Sequence, residues 1–277
     1  MSGASQPVRL ERVRRVEDGS ATRQPEADAV AVEEPLEFRV AAGDGPFVRT
    51  LTMRTPGHDV DLLLGWLISE GVIGSVAEVD RVTARSRGDG LEREASVQVR
   101  LQPNAVPPAD RPFPVSSACG VCGADSLAAV LGQARWRLDD DDCSVSTSTL
   151  LSLPDRLAAA QAAFQRTGGL HAAGLFRVDG TPVVVREDVG RHNAVDKVVG
   201  FAAREQLLPL RGHVLQVSGR ASMELVHKGV MAGIPILSAV SAPSSLAVEL
   251  ARASDLTLAG FVRGSGLNIY AAGERVR

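Results

Sequence analysis

Three cysteines occur in the chain, and two of them, Cys119 and Cys122, stand close together in Ser116-Ser117-Ala118-Cys119-Gly120-Val121-Cys122-Gly123. Thiols at this spacing can share one metal ion, or one thiolate can attack while the other resolves a sulfur adduct. The flanking glycines keep backbone bulk away from the sulfurs, so the pair reads as an exposed loop. Half of a Cys₄ or Cys₃His zinc site has the same form. Here the second C-x-x-C is missing, and only Cys143 and five scattered histidines could complete such a site. A thioredoxin-like redox pair belongs next to a βαβ pattern, whereas this one follows a Pro-rich stretch. Cys143, beside Asp142, reads as a buried cysteine without chemistry.

Further polar clusters follow. His171 lies in Thr167-Gly168-Gly169-Leu170-His171-Ala172-Ala173, between a helix stop and a strand, where it could bind a ligand or move a proton. The zinc-deaminase signature pairs H-x-E with a later P-C-x-x-C. Ala173 takes the place of the glutamate and the cysteine pair comes first, which argues against deamination. Arg186 to Asn193 joins a strand to a helix, and its free backbone N–H groups and positive helix end suit an anion. Arg191 and His192 add donors there, and Asp188 could orient a base or sugar hydroxyl. The alternative is a capping loop in which Arg191 merely pairs with Glu187 or Asp188. Ser218-Gly219-Arg220 and Ser241 to Ser245 repeat this logic after the next two strands. Phe261-Val262-Arg263-Gly264-Ser265-Gly266 closes the last one with a Gly-rich turn and one arginine. Ligands of α/β sheets bind at such strand ends, so a phosphate-bearing ligand such as a nucleotide is expected. Ordinary turn chemistry is the competing explanation.

These loops need strands and helices to hold them. Leu36–Val40 and Val48–Met53 read as strands, joined by a turn at Gly43 to Pro46. Val60, Leu63, Leu64, Leu67 and Ile68 recur at helical spacing, and Gly71 is placed to stop the helix. Val79–Thr83 and Ala95–Leu101 are two more strands around a turn at Gly88-Asp89-Gly90. Residues 102–115 carry five prolines and read as an extended linker. In the second half, Pro154 begins a helix that Gly168-Gly169 ends. Gly174–Val178 and Pro182–Arg186 flank Asp179-Gly180, a hairpin turn signal. Asn193 is placed to cap a helix. Val214–Val217, Ile234–Val240 and Leu256–Val262 are strands alternating with helices over Ser222–Ala232 and Ser245–Ala253. The alternation predicts an α/β class, α+β overall: a small α+β unit over 34–115, then a domain over 116–277 with a mixed sheet covered by helices. Residues 1–33 lack apolar periodicity and read as a disordered tail.

The 277 residues are 44% hydrophobic and 23% charged, with a net charge of -3. That balance argues against broad nucleic-acid binding, which needs a basic face, though a local basic patch could still hold one anionic ligand. No apolar run reaches the roughly 20 residues of a membrane span. Arg14-Arg15 is followed by no apolar segment, so no export signal is expected and the protein is placed in the cytoplasm.

Taken together, Cys119 to Gly123, Thr167 to Ala173, Glu187 to Lys197 and Ser218 to Lys228 closely resemble the formate dehydrogenase accessory sulfurtransferases, the FdhD family. Glu34 to Glu37, Met53 to Gly57, Pro243 to Ala247 and Gly260 to Arg263 extend the resemblance, which covers about Glu34 to Tyr270. The resemblance implies a sulfur relay: a cysteine desulfurase hands sulfur to the cysteine loop, which delivers it to a molybdenum cofactor bearing guanine dinucleotides before insertion into formate dehydrogenase. It implies Cys119 as the persulfide carrier, Cys122 as the residue that assists it or receives the sulfur, a cofactor site at Phe261 to Gly266, a cytidine-deaminase-like second domain and a homodimer. It also implies no tightly bound metal of the protein's own. The rivals are a zinc-stabilised interaction module and a cofactor chaperone that moves no sulfur.

Overall fold

The computed structural model describes residues 6–14, 16–17, 20–21, 25–87, 94–108 and 131–277. The chain folds around two sheets with a layer of helices between them. The smaller sheet has the strand order β6-β5-β8-β7, from β5 (Glu34–Ala42), β6 (Val48–Arg54), β7 (Val79–Arg87) and β8 (Glu94–Leu101). Central β5 and β8 run parallel, and each has an antiparallel neighbour on its other side. Alternation decides which face is inward: Leu36, Phe38 and Val40 of β5 and Val97, Val99 and Leu101 of β8 are buried, and their neighbours face out.

Helix α1 (Asp59–Ser69) lies under this sheet, with nine of its eleven residues buried. On its other side is α4 (Arg191–Arg204), and the two backbones touch. A Cβ at Gly65 would fall 1.8 Å from the Asp196 carbonyl oxygen, and one at Gly200 would fall 1.7 Å from that of Asp61. Only glycine permits this approach. The sequence suggested two units, 34–115 and 116–277, but one hydrophobic core runs through both, from Leu36 and Phe38 through Leu63 and Leu67 to Val195, Val198 and Leu215.

The larger sheet has the order β10-β9-β11-β12-β13-β14, with β9 (His171–Arg177), β10 (Pro182–Asp188), β11 (His213–Val217), β12 (Ile236–Ala239), β13 (Thr257–Arg263) and β14 (Gly266–Ala271). Three successive crossovers carry α4, α5 (Met223–Met231) and α6 (Ser245–Ala253), all stepping the same way along the sheet. Right-handed crossovers in one direction put all three helices on one face. The opposite face is covered by α2 (Thr147–Ala159), whose Leu150, Leu153 and Leu157 meet Phe176, Val214 and Ile236. Burial on both faces explains why these strands read as continuous apolar runs.

Four expectations change. The α2 helix begins at Thr147, capped by the Ser146 hydroxyl, and Pro154 lies inside it; a separate short helix α3 (Ala162–Thr167) ends at Gly168. Ser146 is the stronger start signal because its oxygen accepts the Thr149 N–H. Asn193 does not cap α4: Gly190 holds that position, and the Asn193 amide donates to the Met53 carbonyl and Asp188. The strand over 257–263 is not the last, because Gly264 (φ 58°) turns it into the β13–β14 hairpin. Finally, residues expected as a disordered tail pair as β1 (Val8–Val13) and β4 (Glu26–Ala31), with the short β2 (Val16–Glu17) and β3 (Ser20–Ala21) also paired. Val8, Ala29 and Ala31 bury against Ala163 and Leu170. So little apolar surface, spread over distant residues, leaves no local period to read. Among the described residues, no helix is long and apolar enough to cross a membrane.

Candidate functional site

Antiparallel pairing puts His171, the first residue of β9, opposite Asp188, the last of β10. It also brings the start of β9 to the carboxyl ends of β11, β12 and β13. The loops there are tied to one another by backbone hydrogen bonds. Ser218 N–H donates to the Ala172 carbonyl, Ala221 N–H to that of Ala242, and Phe261 N–H to that of Ser241. The Ser218 hydroxyl in turn accepts the Ala172 N–H at 2.9 Å. The amino ends of α4, α5 and α6 therefore converge on one edge of the sheet, each adding partial positive charge. His171, Arg191, His192, Ser218, Gly219, Arg220 and Phe261 are all on this edge. Arg263, Gly264, Ser265 and Gly266 form the exposed hairpin tip just beyond it, with the Arg263 guanidinium 5.9 Å from the centre of the Phe261 ring. Val262 faces the interior with 0% exposure, so its side chain can contact no ligand.

The competing explanation for Arg191 can now be tested. Glu187 accepts the N–H groups of Ala163 and Phe164 and so caps α3. Asp188, fully buried, accepts from Thr55 N–H, Gly190 N–H and the Asn193 amide, and pairs with Lys197 at 2.6 Å. Neither carboxylate is available to Arg191. Its guanidinium has no hydrogen-bond or ion-pair partner among the described residues, and its Nε is buried. An unpaired cation at a helix amino end suits an anion. The role considered for Asp188, orienting a base or sugar, is excluded by its buried contacts.

Two histidines flank Arg191. The pKa of half-buried His171 is pushed below its usual value by burial, then by the Arg191 charge, so it is neutral near pH 7. Its ring lies 3.5 Å from where a Cβ at Gly219 would be, so glycine there leaves the ring room. His192 is pushed to about 3 by burial, then by Arg191 and Lys228. Its Nε2 is 3.1 Å from a Glu224 carboxylate oxygen but lacks hydrogen-bond geometry. Burial also raises the Glu224 pKa.

Two hollows adjoin these groups. A cleft of ≈ 610 Å³ on the α2 side is lined by His171, Ser218, Asp155 and Gln161 together with apolar residues that include Leu157, Phe164, Leu170 and Val189. A smaller one of ≈ 290 Å³ lies between the two sheets, where His192, Glu224, Asp196 and Lys228 meet Trp66 and Phe38.

The sequence reading missed the clamp beneath this edge. The chain has only two lysines, Lys197 and Lys228, and both are buried in ion pairs. Lys197 donates to the carbonyls of Thr55 (2.8 Å) and Glu187 (3.3 Å) besides its pair with Asp188, using all three ammonium protons. Lys228 holds both oxygens of Asp196, which also accepts the Ser69 hydroxyl. A compact ammonium fits these sites where a planar guanidinium would not. The available signal was a charge inside an apolar helical run, Asp196-Lys197 and Lys228.

Cys119 and Cys122 lie outside the described residues. Cys143 is half-buried, and burial, then Asp141, pushes its thiol up to about 12. It is no nucleophile at neutral pH.

A model of the FdhD/NarQ family matches residues 31–277. The chain belongs to the FdhD/NarQ family. Its relatives include the sulfur carrier protein FdhD of Streptomyces avermitilis, 50% identical over 271 residues, covering 96% of this chain and 94% of that one. The sulfur carrier protein FdhD of Mycobacterium tuberculosis is 49% identical over 273 residues, covering 96% and 97%. A crystal structure described as that of a putative formate dehydrogenase accessory protein, from Desulfotalea psychrophila, superposes with a TM-score of 0.75. It is 23% identical and covers 98% of this chain and 100% of that one, which shows that the two chains share a fold.

Proposed function

We propose that this chain is a cytoplasmic sulfur carrier. It takes persulfide sulfur from a cysteine desulfurase onto Cys119 and passes it to a molybdenum cofactor bearing guanine dinucleotides, before that cofactor enters formate dehydrogenase. The observation that carries this reading is the Cys119-Gly120-Val121-Cys122 pair in a chain half identical to proteins named sulfur carriers. The inert Cys143 leaves these two thiols for the chemistry.

In the first step the Cys119 thiolate attacks the outer sulfur of the donor's persulfide. A new S–S bond forms on Cys119, and the donor's cysteine leaves as thiolate. In the second, the Cys122 thiolate attacks Cys119 Sγ; a Cys119–Cys122 disulfide forms and the carried sulfur leaves as hydrosulfide for the acceptor. The two thiols supply the two electrons, and an external thiol reductant resets the pair. The acceptor is anionic through its phosphates. Arg191, Arg220 and Arg263, with the N–H groups at the amino ends of α4, α5 and α6, suit those phosphates, and the cleft beside His171 and Ser218 suits a flat base. A homodimer would let one protomer's loop serve its partner's edge.

The test is intact-mass spectrometry after incubation with a cysteine desulfurase and cysteine, before and after reductant. Wild type and Cys143→Ser should gain one or more sulfur atoms reversibly, and Cys119→Ala should not. Uptake that persists in Cys119→Ala refutes the assignment. No uptake by wild type, with guanine nucleotide still bound, leaves a cofactor chaperone that moves no sulfur.

A further inference from the structure

The outer face of the four-stranded sheet is uncovered and basic. Register places Arg49, Leu51 and Met53 of β6, Pro35, Glu37 and Arg39 of β5, Ser96, Gln98 and Arg100 of β8, and Arg81, Thr83 and Arg85 of β7 on this one face. Register also puts Arg87 across from Glu94, so six arginines and two glutamates share the face, while the whole chain is net -3. The placement is costly. Arg39 stands directly across from Arg49, and Arg81 from Arg100, and like charges so paired destabilise a sheet. Glu37 relieves the first pair by binding Arg39 and lying 3.8 Å from Arg49. Arg100 is held by the Gly43 carbonyl and the Phe47 ring, 4.6 Å away. Exposed Arg81 and Arg85 have no hydrogen-bond or ion-pair partner among the described residues. Across the sheet, on β6, are exposed Leu51 (38%) and Met53 (41%), and a shallow depression of ≈ 410 Å³ runs from Leu51 to Arg85 over Pro35, Glu37, Arg39 and Glu94.

We propose that this face docks an acidic surface of the protein that donates the sulfur. The inference rests on the carrier reading above. Arginine and methionine around an apolar spot is the composition of protein interfaces. Sheet faces that bind nucleic acid stack bases on exposed aromatic rings; no strand position on this face carries one, and Phe47 in the β5–β6 turn is half-buried and covered by the Arg100 guanidinium. A second copy would oppose arginine with arginine. Of the two proteins in the relay, the acceptor must approach the edge of the six-stranded sheet, where the cofactor is held. The far side of the helical layer is left for the donor.

The test compares wild type, Arg81→Glu/Arg85→Glu and the milder Arg81→Gln/Arg85→Gln. Sulfur uptake is timed by intact mass over a salt series, from a cysteine desulfurase with cysteine and, separately, from a low-molecular-weight persulfide. Charge reversal should slow uptake from the desulfurase about tenfold at low salt, neutralisation less, with salt slowing the wild type toward the variants. All three should load equally from the small persulfide. Equal rates from the desulfurase overturn the proposal, as does equal slowing with the small donor, which would mark a damaged fold. Oligonucleotide binding that the reversal abolishes, with loading unchanged, would give the face to nucleic acid instead. If wild type loads from neither donor, the carrier reading falls as well.

Discussion

Replacing Gly200 by Ala should strike the contact that makes one core of two sheets. The new Cβ would sit 1.7 Å from the Asp61 carbonyl oxygen, where ordinary contact begins near 3.4 Å. The obstacle is helical backbone, so no side chain can rotate aside; α1 and α4 must part by roughly 1.5 Å. A gap of even ~1 Å forfeits up to about half of the dispersion energy across it. Overpacking typically costs about 1–3 kcal/mol, and a backbone obstacle puts this case at about 3 kcal/mol or more. That is a large share of the roughly 5–15 kcal/mol that holds a typical domain. Urea unfolding, followed by circular dichroism and by the tryptophan fluorescence of Trp66 in α1 together with Trp136, measures the loss. Gly65→Ala should behave alike, since its Cβ would lie 1.8 Å from the Asp196 carbonyl oxygen. Gly266→Ala, with nothing within 4 Å, should stay within about 0.5 kcal/mol of wild type. A loss under about 0.5 kcal/mol for Gly200→Ala would refute the close crossing. Two separate wild-type transitions would refute the shared core.

Two other expectations concern the sheet edge. His192 has a folded pKa near 3 against an ordinary 6.5, so the unfolded chain binds its proton first. Its contribution is complete above pH 6.5 and is lost as the pH falls toward 3, with about 2 kcal/mol gone by pH 5. His192→Gln should lessen the loss of stability between pH 6.5 and 5 in denaturant titrations, leaving the part due to His227, which burial pushes down to about 4, and an unchanged slope would refute the buried neutral state of His192. Arg191→Ala should weaken guanosine diphosphate binding, measured by calorimetry, by about 10–100-fold, the value of a charge-assisted phosphate contact. Unchanged affinity would show that the phosphate sits elsewhere.

The sequence alone located most of the strands and helices, because alternation in β5 and β8 and helical spacing in α1 are local signals. It also singled out Cys119 and Cys122, His171, Arg191 and the three Ser/Gly loops, since turn chemistry and residue type are written over a few neighbouring positions. Tertiary structure decided what those groups are free to do. Asp188 and Arg191 look like equal ligand candidates in one short loop. One is consumed by Thr55 and Lys197 at the heart of the fold, and the other is left unpaired. Thr55 is 133 positions from Asp188, and no local pattern encodes a partner at that distance. The Gly65–Gly200 crossing, the pairing of residues 8–13 with 26–31 and the uncovered arginine face are likewise products of register and packing. Each is fixed by which surfaces meet once apolar area is buried.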